Sequence, residues 1–207
     1  MPRSGTILTV FLVLLVSVAL LTALSPSEAA LGANARLAYL HGAWVWTALA
    51  ATVGAGLAGL AGLALRRGRW QEWSVALGQA GVFFWVTYLP LSLWTMQANW
   101  NGLFLDEPRW RIGVHFAVGG LLIQAAILVL GKAGWASLLN VFFAAALVAS
   151  LARADAVMHP ASPILSSGSA LIRSFFLALL AVCLLACWLL ARWLLAYWAE
   201  VRRGPRQ

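Results

Sequence analysis

The chain has 207 residues, of which 63% are hydrophobic and 10% are charged. Soluble domains carry about a quarter charged residues, so this composition excludes an ordinary soluble globular protein. The formal net charge of +8 comes mainly from basic residues at the ends of hydrophobic segments, and this distribution argues against nucleic-acid binding.

The hydrophobic residues form blocks of about 20, the length of helix that crosses a hydrocarbon core of about 30 Å. Because lipid cannot hydrogen-bond the backbone, segments of this length must be helical. We therefore predict an all-α, polytopic membrane protein with one integral membrane domain over residues 1–207. Six transmembrane helices are predicted near 6–24, 37–65, 73–94, 112–131, 135–152 and 171–196.

The first predicted helix has an alternative interpretation as a cleaved signal peptide. Arg3 would form its basic region, and the residues SPSEAA (25–30) would form its cleavage site. Its apolar stretch of about 18 residues is longer than the 7–15 residues usual in signal peptides. We therefore expect residues 1–30 to be retained as a membrane anchor.

Basic residues predict the orientation, because cytoplasmic loops carry an excess of Lys and Arg. One side of the predicted bundle collects nine basic and two acidic residues: Arg3, Arg66, Arg67, Arg69, Lys132, Arg192, Arg202, Arg203 and Arg206, with Glu72 and Glu200. The opposite side collects five basic and four acidic residues: Arg36, Arg109, Arg111, Arg153 and Arg173, with Glu28, Asp106, Glu107 and Asp155. We expect the first side, with both termini, to be cytoplasmic.

The predicted helix interiors contain no Asp, Glu, Lys or Arg near mid-span. Ion-coupled transporters usually place an ionisable group at that depth, so this class is disfavoured. We expect Gln79, Gln124 and Asn140 to form hydrogen bonds between helices. The sequence also lacks the G-x-x-x-x-G-K-[ST] nucleotide motif and the G-x-S-x-G nucleophile motif, and we expect no enzymatic activity.

All three histidines, His41, His115 and His159, fall on the predicted outer side. A single interfacial histidine is often merely tolerated, but three on one side favour a ligand role. Neutral imidazole commonly binds heme iron and zinc. Since neither H-x-x-H nor H-E-x-x-H spacing is present, heme fits the sequence better than a zinc site.

Heme also requires cations for its propionates and flat apolar contacts for its macrocycle. The outer side offers five arginines: Arg36, Arg109, Arg111, Arg153 and Arg173. It also offers six aromatic residues: Trp44, Trp46, Trp94, Trp100, Phe104 and Trp110. Tryptophan is common at membrane interfaces in any case, but its clustering around the predicted outer loop 95–111 favours a heme site.

Three segments resemble a known family, the heme-handling proteins of cytochrome c assembly that include CcmC, CcmF and CcsA. The segment AYLHGAWVW (38–46) is similar to the family's YIHVPAAW, with His41 at a heme-ligand position and Trp46 at the following tryptophan. The segment VMHPASPILSSGSALIRSFFLALL (157–180) is similar to the family's LHQPASI segment, which leads into the last helix. This match places His159 at the second ligand position.

The third segment, WNGLFLDEPRW (100–110), resembles the tryptophan-rich outer loop of the family, W-G-x-x-W-x-W-D-P/A-K/R. Three residues take the positions of the three loop tryptophans, and the next three supply the ending of acid, proline and base: Trp100, Phe104 and Asp106, then Glu107, Pro108 and Arg109. Asn101 stands where the family has glycine. The loop is therefore a degenerate version of the motif.

The resemblance implies a six-helix, CcmC-like protein of the bacterial cytoplasmic (inner) membrane that binds heme b on its outer side. His41 and His159 would bind the iron from opposite faces, with His115 as an alternative ligand. The residues implied around the porphyrin are Arg109 with Arg36 or Arg173 at the propionates, and Trp46, Trp100 and Phe104 at the macrocycle. The implied function is to present heme for cytochrome c biogenesis, with a periplasmic heme chaperone and ABC-type transporter subunits as partners.

Two other functions remain open at this point. A b-type cytochrome subunit of an electron-transfer complex would hold heme without handing it on, and a structural membrane subunit would hold none. The acids of the predicted outer loop, Asp106 and Glu107, also have two interpretations. They could steer a heme-bound partner, and they could also hold the loop arginines, with Glu107 paired to Arg109 or Arg111 to fix the turn at Pro108; the two roles are compatible.

Overall fold

The computed structural model describes residues 4–155 and 163–203, and its regular elements in these ranges are helices. The helices are α1 (Ser4–Ala23), α2 (Ala35–Ala64), α3 (Gly68–Trp100), α4 (Pro108–Leu130), α5 (Ala133–Arg153) and α6 (Ala170–Arg203). Each of these six is long and apolar enough to cross a membrane. The predicted all-α fold with six membrane-spanning helices is confirmed.

Successive helices run in opposite directions, so their connections gather at two ends of the bundle. One end has the start of α1, the end of α6 and the short connections 65–67 and 131–132. We call it the turn end. There the Ser4 hydroxyl donates to Glu200 Oε2 at 3.1 Å. The opposite end has the connections 24–34 and 101–107 and the described parts, 154–155 and 163–169, of the connection between α5 and α6, and is called the loop end. There Asn34 Nδ2 donates to the carbonyl of Ala98 at 2.8 Å.

The pair α2 and α3 forms the centre of the bundle, and α5 packs across it. Small residues of α2 allow this close approach. A Cβ at Gly59 would lie 2.8 Å from the Ser137 carbonyl of α5 and 2.9 Å from Ser74 Oγ of α3. On the remaining sides, α4 packs against α3 and α5, while α6 packs against α2 and α3 and separates most of α1 from them.

A buried polar network joins three helices on the turn-end side. Asn140 Nδ2 of α5 donates to the carbonyl and to Oγ of Ser74 at 2.9 and 3.1 Å, and Gln124 Nε2 of α4 donates to Asn140 Oδ1 at 3.0 Å. Gln79 Oε1 accepts a hydrogen bond from the Trp198 indole of α6 at 2.8 Å. The expected hydrogen bonds between helices are therefore present at all three mid-span amides.

The third helix differs most from its predicted limits, 73–94, because it runs from Gly68 to Trp100. Pro90 lies inside it without ending it. Nearby hydroxyls bond the backbone within the helix: Thr87 Oγ1 donates to the Phe83 carbonyl and Thr95 Oγ1 to the Leu91 carbonyl, both at 2.8 Å. The connection to α4 is therefore residues 101–107, shorter than the predicted loop 95–111.

Candidate functional site

His41 lies in the second turn of α2, near the loop end, and its side chain is half-buried against α3. Its ring centroid is 5.5 Å from that of Tyr88, with an angle of 39° between the ring planes. The antiparallel packing of α2 and α3 creates this contact between residues 47 positions apart. His41 is therefore presented on an aromatic surface and not in a loop.

Tyr88 is the centre of a group of rings that joins three helices. Its centroid lies 5.4 Å from that of Trp85 and 6.3 Å from that of Trp110 of α4. The Trp85 indole donates to the Gly113 carbonyl at 3.0 Å, which ties α3 to α4. We call His41, Trp85, Tyr88 and Trp110 the Tyr88 cluster. Its three aromatic members are buried, with exposed fractions of 4–8%.

The residues that follow His41 in α2 pack on α3 and on the segment that enters α6. Trp44 packs on Phe84 with a centroid distance of 4.6 Å, and its indole donates to Thr87 Oγ1 at 2.8 Å. A Cβ at Gly42 would lie 3.2 Å from the Phe176 ring and 3.3 Å from Ile164 Cδ1. The segment that enters α6 therefore packs on α2 one residue away from His41.

The second predicted ligand, His159, lies outside the described residues. Ile164 is five positions after His159 in the sequence and belongs to the connection that reaches Gly42. The predicted pairing of His41 with His159 thus stays a prediction.

His115, the alternative ligand, lies on α4 but not in the Tyr88 cluster. Its side chain is exposed, and Nδ1 lies 2.7 Å from the carbonyl of Arg111, one turn earlier. Gly113 faces Tyr88. His115 follows two residues later, about 200° around the helix, and therefore points away from Tyr88. The structure does not bring His115 and His41 together within one chain.

The three predicted propionate partners occupy different settings at the loop end. Arg109 is half-buried in the first turn of α4, next to Trp110 of the Tyr88 cluster. Arg173 is half-buried in the first turn of α6, and its Nη1 donates to the carbonyl of Ser167. Arg36 is exposed in the first turn of α2. Arg109 is therefore the predicted propionate partner that lies nearest in sequence to a member of the cluster.

The three predicted macrocycle contacts lie nearer the surface than the Tyr88 cluster. Trp46 is 40% exposed and Phe104 is 41% exposed. Trp100 is half-buried as the last residue of α3, and so ends a helix instead of opening a loop. Trp46 follows His41 by five residues, which places it about 140° around the helix from the imidazole.

The acids of the connection 101–107 have structural roles. Asp106 forms an ion pair with Arg111. Glu107 is the N-cap of α4, and its Oε2 accepts a hydrogen bond from the backbone N–H of Trp110 at 2.7 Å. The cap satisfies one of the free N–H groups at the start of a helix. The acid that pairs with Arg111 is thus Asp106, whereas Glu107, immediately before Pro108, caps the start of α4.

Sequence reasoning missed Tyr88 and Trp85 as members of the site. Both lie in the apolar run VFFWVTYLP (82–90), where the pattern gives only a transmembrane helix. One available signal was the tyrosine hydroxyl, because a polar tip this far inside a span usually has a specific partner.

No family model, curated protein sequence or solved structure matches this chain.

Proposed function

We propose that this integral membrane protein binds heme b at the loop end of its bundle and presents it there for cytochrome c biogenesis, as a CcmC-like protein. The observation that carries the proposal is the placement of His41. Its half-buried imidazole rests on the buried aromatic Tyr88 cluster. Five other residues implied in heme contact also lie at the loop end: Arg36, Trp100, Phe104, Arg109 and Arg173.

The chemistry of these residues suits a porphyrin. Heme supplies an iron centre that accepts two imidazole nitrogens, and His41 and His159 are the ligands proposed. Packing of the His41 ring against Tyr88 limits the directions in which the imidazole points. Because a protonated imidazole cannot bind iron, heme binding weakens as the pH falls through the usual range of histidine protonation, about 6.5.

The cations and rings of the loop end have the complementary roles. Arg109, which follows Pro108 at the start of α4, would pair with one propionate, and Arg36 or Arg173 with the other. Trp100 ends α3 and Phe104 lies in the connection 101–107 that follows, and both would contact the porphyrin edge. The half-buried setting of Arg109 strengthens a charge pair relative to one in open water.

The proposed setting is the bacterial inner membrane, with the loop end facing outward. Heme held there is open to a periplasmic heme chaperone, and the ABC-type transporter subunits implied by the resemblance would supply ATP hydrolysis. The chain itself lacks the phosphate-binding motif that this hydrolysis needs.

A second candidate function is a heme-holding subunit of an electron-transfer complex, without handover. The observation that favours it is the connection 101–107, which is short and ends in the Glu107 cap of α4. It also lacks two of the three tryptophans of the family loop. A complementation test in a host without its own assembly protein separates the two functions. Restored formation of mature cytochrome c in that host supports handover, while heme binding without complementation supports the second candidate.

Heme binding itself is tested by the absorption spectrum of the purified full chain from a heme-replete host. We expect a Soret band that is lost or strongly reduced in His41→Ala and in His159→Ala. His115→Ala is the matched control, because this histidine lies outside the Tyr88 cluster, and it should keep the band. Absence of heme from the wild-type protein, or loss of the band only in His115→Ala, would contradict the proposal.

A further inference from the structure

The turn between α2 and α3, together with the first residues of α3, carries three arginines within four positions at the turn end: Arg66, Arg67 and Arg69. The backbone N–H of Leu65 donates to the Ala61 carbonyl at 2.9 Å, and that of Arg67 donates to the Gly62 carbonyl at 3.2 Å. Gly62 also packs on α3, where a Cβ would lie 2.7 Å from Gln71 Cγ. The arginines therefore project from a backbone that is closed and held on the bundle.

Arg66 has a backbone conformation that favours glycine. Its φ is +52°, in the left-handed region that non-glycine residues adopt at an energetic cost. Glycine is the usual residue at this position after a helix. The side chain at this position adds a third guanidinium to the turn.

The charge of this turn has no acidic partner within the described residues. Both described acids of the turn end are engaged elsewhere: Glu72 Oε1 accepts from Arg202 Nη2 at 2.9 Å, and Glu200 Oε2 accepts from the Ser4 hydroxyl at 3.1 Å. The adjoining residues 1–3 and 204–207 contain no Asp or Glu in their sequence. Within the described residues, no acidic side chain forms an ion pair with these three guanidiniums, so an anion from outside the chain can bind them.

A cleft of about 270 Å³ lies beside the turn, lined by Arg67, Arg69, Trp70 and Trp73. Trp70 is 43% exposed, whereas Trp73 is half-buried against the core of the bundle. The cleft therefore has guanidinium donors and an apolar indole wall together. Guanidinium groups bind phosphate in a bidentate manner, and indole rings are favoured at the level of lipid headgroups.

We propose that this basic cleft binds the phosphate of an anionic phospholipid headgroup. Arg67 and Arg69 contact the phosphate oxygens, Arg66 adds to the local positive potential, and the two indoles contact the glycerol and upper acyl region. A free phosphate ion would use the guanidiniums alone and leave the indole wall without a role. The position at the end of two membrane-spanning helices is where headgroups lie.

Native mass spectrometry of the purified full chain tests this, with phosphatidylglycerol or phosphatidylcholine of matched acyl chains added in detergent. We expect phosphatidylglycerol to be retained about tenfold more tightly than phosphatidylcholine, a difference of about 1.4 kcal/mol. R67Q/R69Q should bring both lipids to the same affinity. The matched control K132Q/R203Q removes two exposed charges from the same end outside the cleft, and should keep the preference.

Three results overturn the proposal: no preference in the wild type, equal loss in both double variants, or displacement of the lipid by inorganic phosphate at millimolar concentration. Thermal unfolding in phosphatidylcholine shows whether each variant is folded. If R67Q/R69Q does not fold, the wild type decides, because phosphatidylglycerol retention must fall as salt is raised from about 0.05 to about 0.5 M. Retention that is insensitive to salt contradicts a guanidinium–phosphate contact.

Discussion

Gly113 is the residue on which the contact between α4 and the Tyr88 cluster depends. Ring atoms of Tyr88 lie 2.9 Å from where a Cβ at Gly113 would stand, and the hydroxyl oxygen lies nearer still. The same residue's carbonyl accepts the Trp85 indole hydrogen bond. Any side chain here must therefore displace the ring that supports His41.

Gly113→Ala is expected to destabilise the protein. Overpacking of this kind costs about 1–3 kcal/mol, against which alanine gains about 1 kcal/mol over glycine in helix propensity. We expect a lower thermal unfolding temperature in detergent and reduced heme content. Gly119→Ala is the control on the same helix, because its Cβ would meet its nearest neighbour only at 4.0 Å, and it should be neutral or stabilising. Equal behaviour of the two variants would show that Tyr88 has room to move.

The composition of the Tyr88 cluster could not be predicted from the sequence, although His41 itself could. His41 was proposed as a ligand because imidazoles are rare in this chain and fall on one predicted side of it. Its neighbour Tyr88 is 47 positions away, and only the register between α2 and α3 determines which ring of the aromatic run meets His41. That register depends on small residues such as Gly59 of α2, which is in contact with both α3 and α5.

Among the helices, α3, α4 and α5 are coupled by the buried network of Ser74, Gln124 and Asn140. Each hydrogen bond between helices in a membrane contributes on average about 0.6 kcal/mol. Loss of one partner costs more, about 1–3 kcal/mol, because it leaves a buried polar group unsatisfied. The network therefore stabilises one arrangement of these three helices over others.

A double-mutant cycle tests this coupling. Asn140→Leu and Gln124→Leu should each destabilise the protein, and the double variant should lose less than the sum by about 0.5–3 kcal/mol, as measured by unfolding in mixed detergent. Thr95→Val is the control partner for Asn140→Leu, because Thr95 lies 21 residues from Ser74 along α3 and bonds only α2 and its own helix among the described contacts. That pair should be additive, and additivity of the Asn140–Gln124 pair would exclude the coupling.

The number of helices was predictable, but several of their ends were not. Hydropathy marks the part of a helix that crosses hydrocarbon, and a helix continues beyond it wherever its backbone stays hydrogen-bonded. Thus α3 extends to Trp100 and α6 to Arg203, past the predicted 94 and 196. In α6 the extension carries the Trp198–Gln79 hydrogen bond and the Arg202–Glu72 ion pair, contacts that hydropathy does not register.

For the whole molecule, the two ends of the bundle differ in charge and in chemistry. The turn end has the basic cleft and most of the basic residues, while the loop end has the Tyr88 cluster and nearly balanced charge. The excess of Lys and Arg predicts a cytoplasmic turn end. The proposed heme function requires this orientation, since a periplasmic chaperone reaches only the outer side.

Reporter fusions measure the orientation directly. A fluorescent protein that matures only in the cytoplasm should fluoresce when fused after Gln207, and a phosphatase that is active only outside should be inactive there. The matched fusions after Asp155, in the connection between α5 and α6, should give the opposite pair of results. The reverse pattern would place His41 on the cytoplasmic side and remove periplasmic presentation of heme.

In the proposed heme site, one iron binds His41 and His159. The most direct measurement of this ligation is electron paramagnetic resonance of the ferric, purified protein, since two imidazoles give a low-spin signal that one imidazole does not. We predict a low-spin bis-imidazole signal in the wild type and in His115→Ala, and its conversion to a high-spin signal or its loss in His41→Ala and in His159→Ala. A high-spin wild type, or a low-spin signal that survives the loss of either His41 or His159, would contradict the claim.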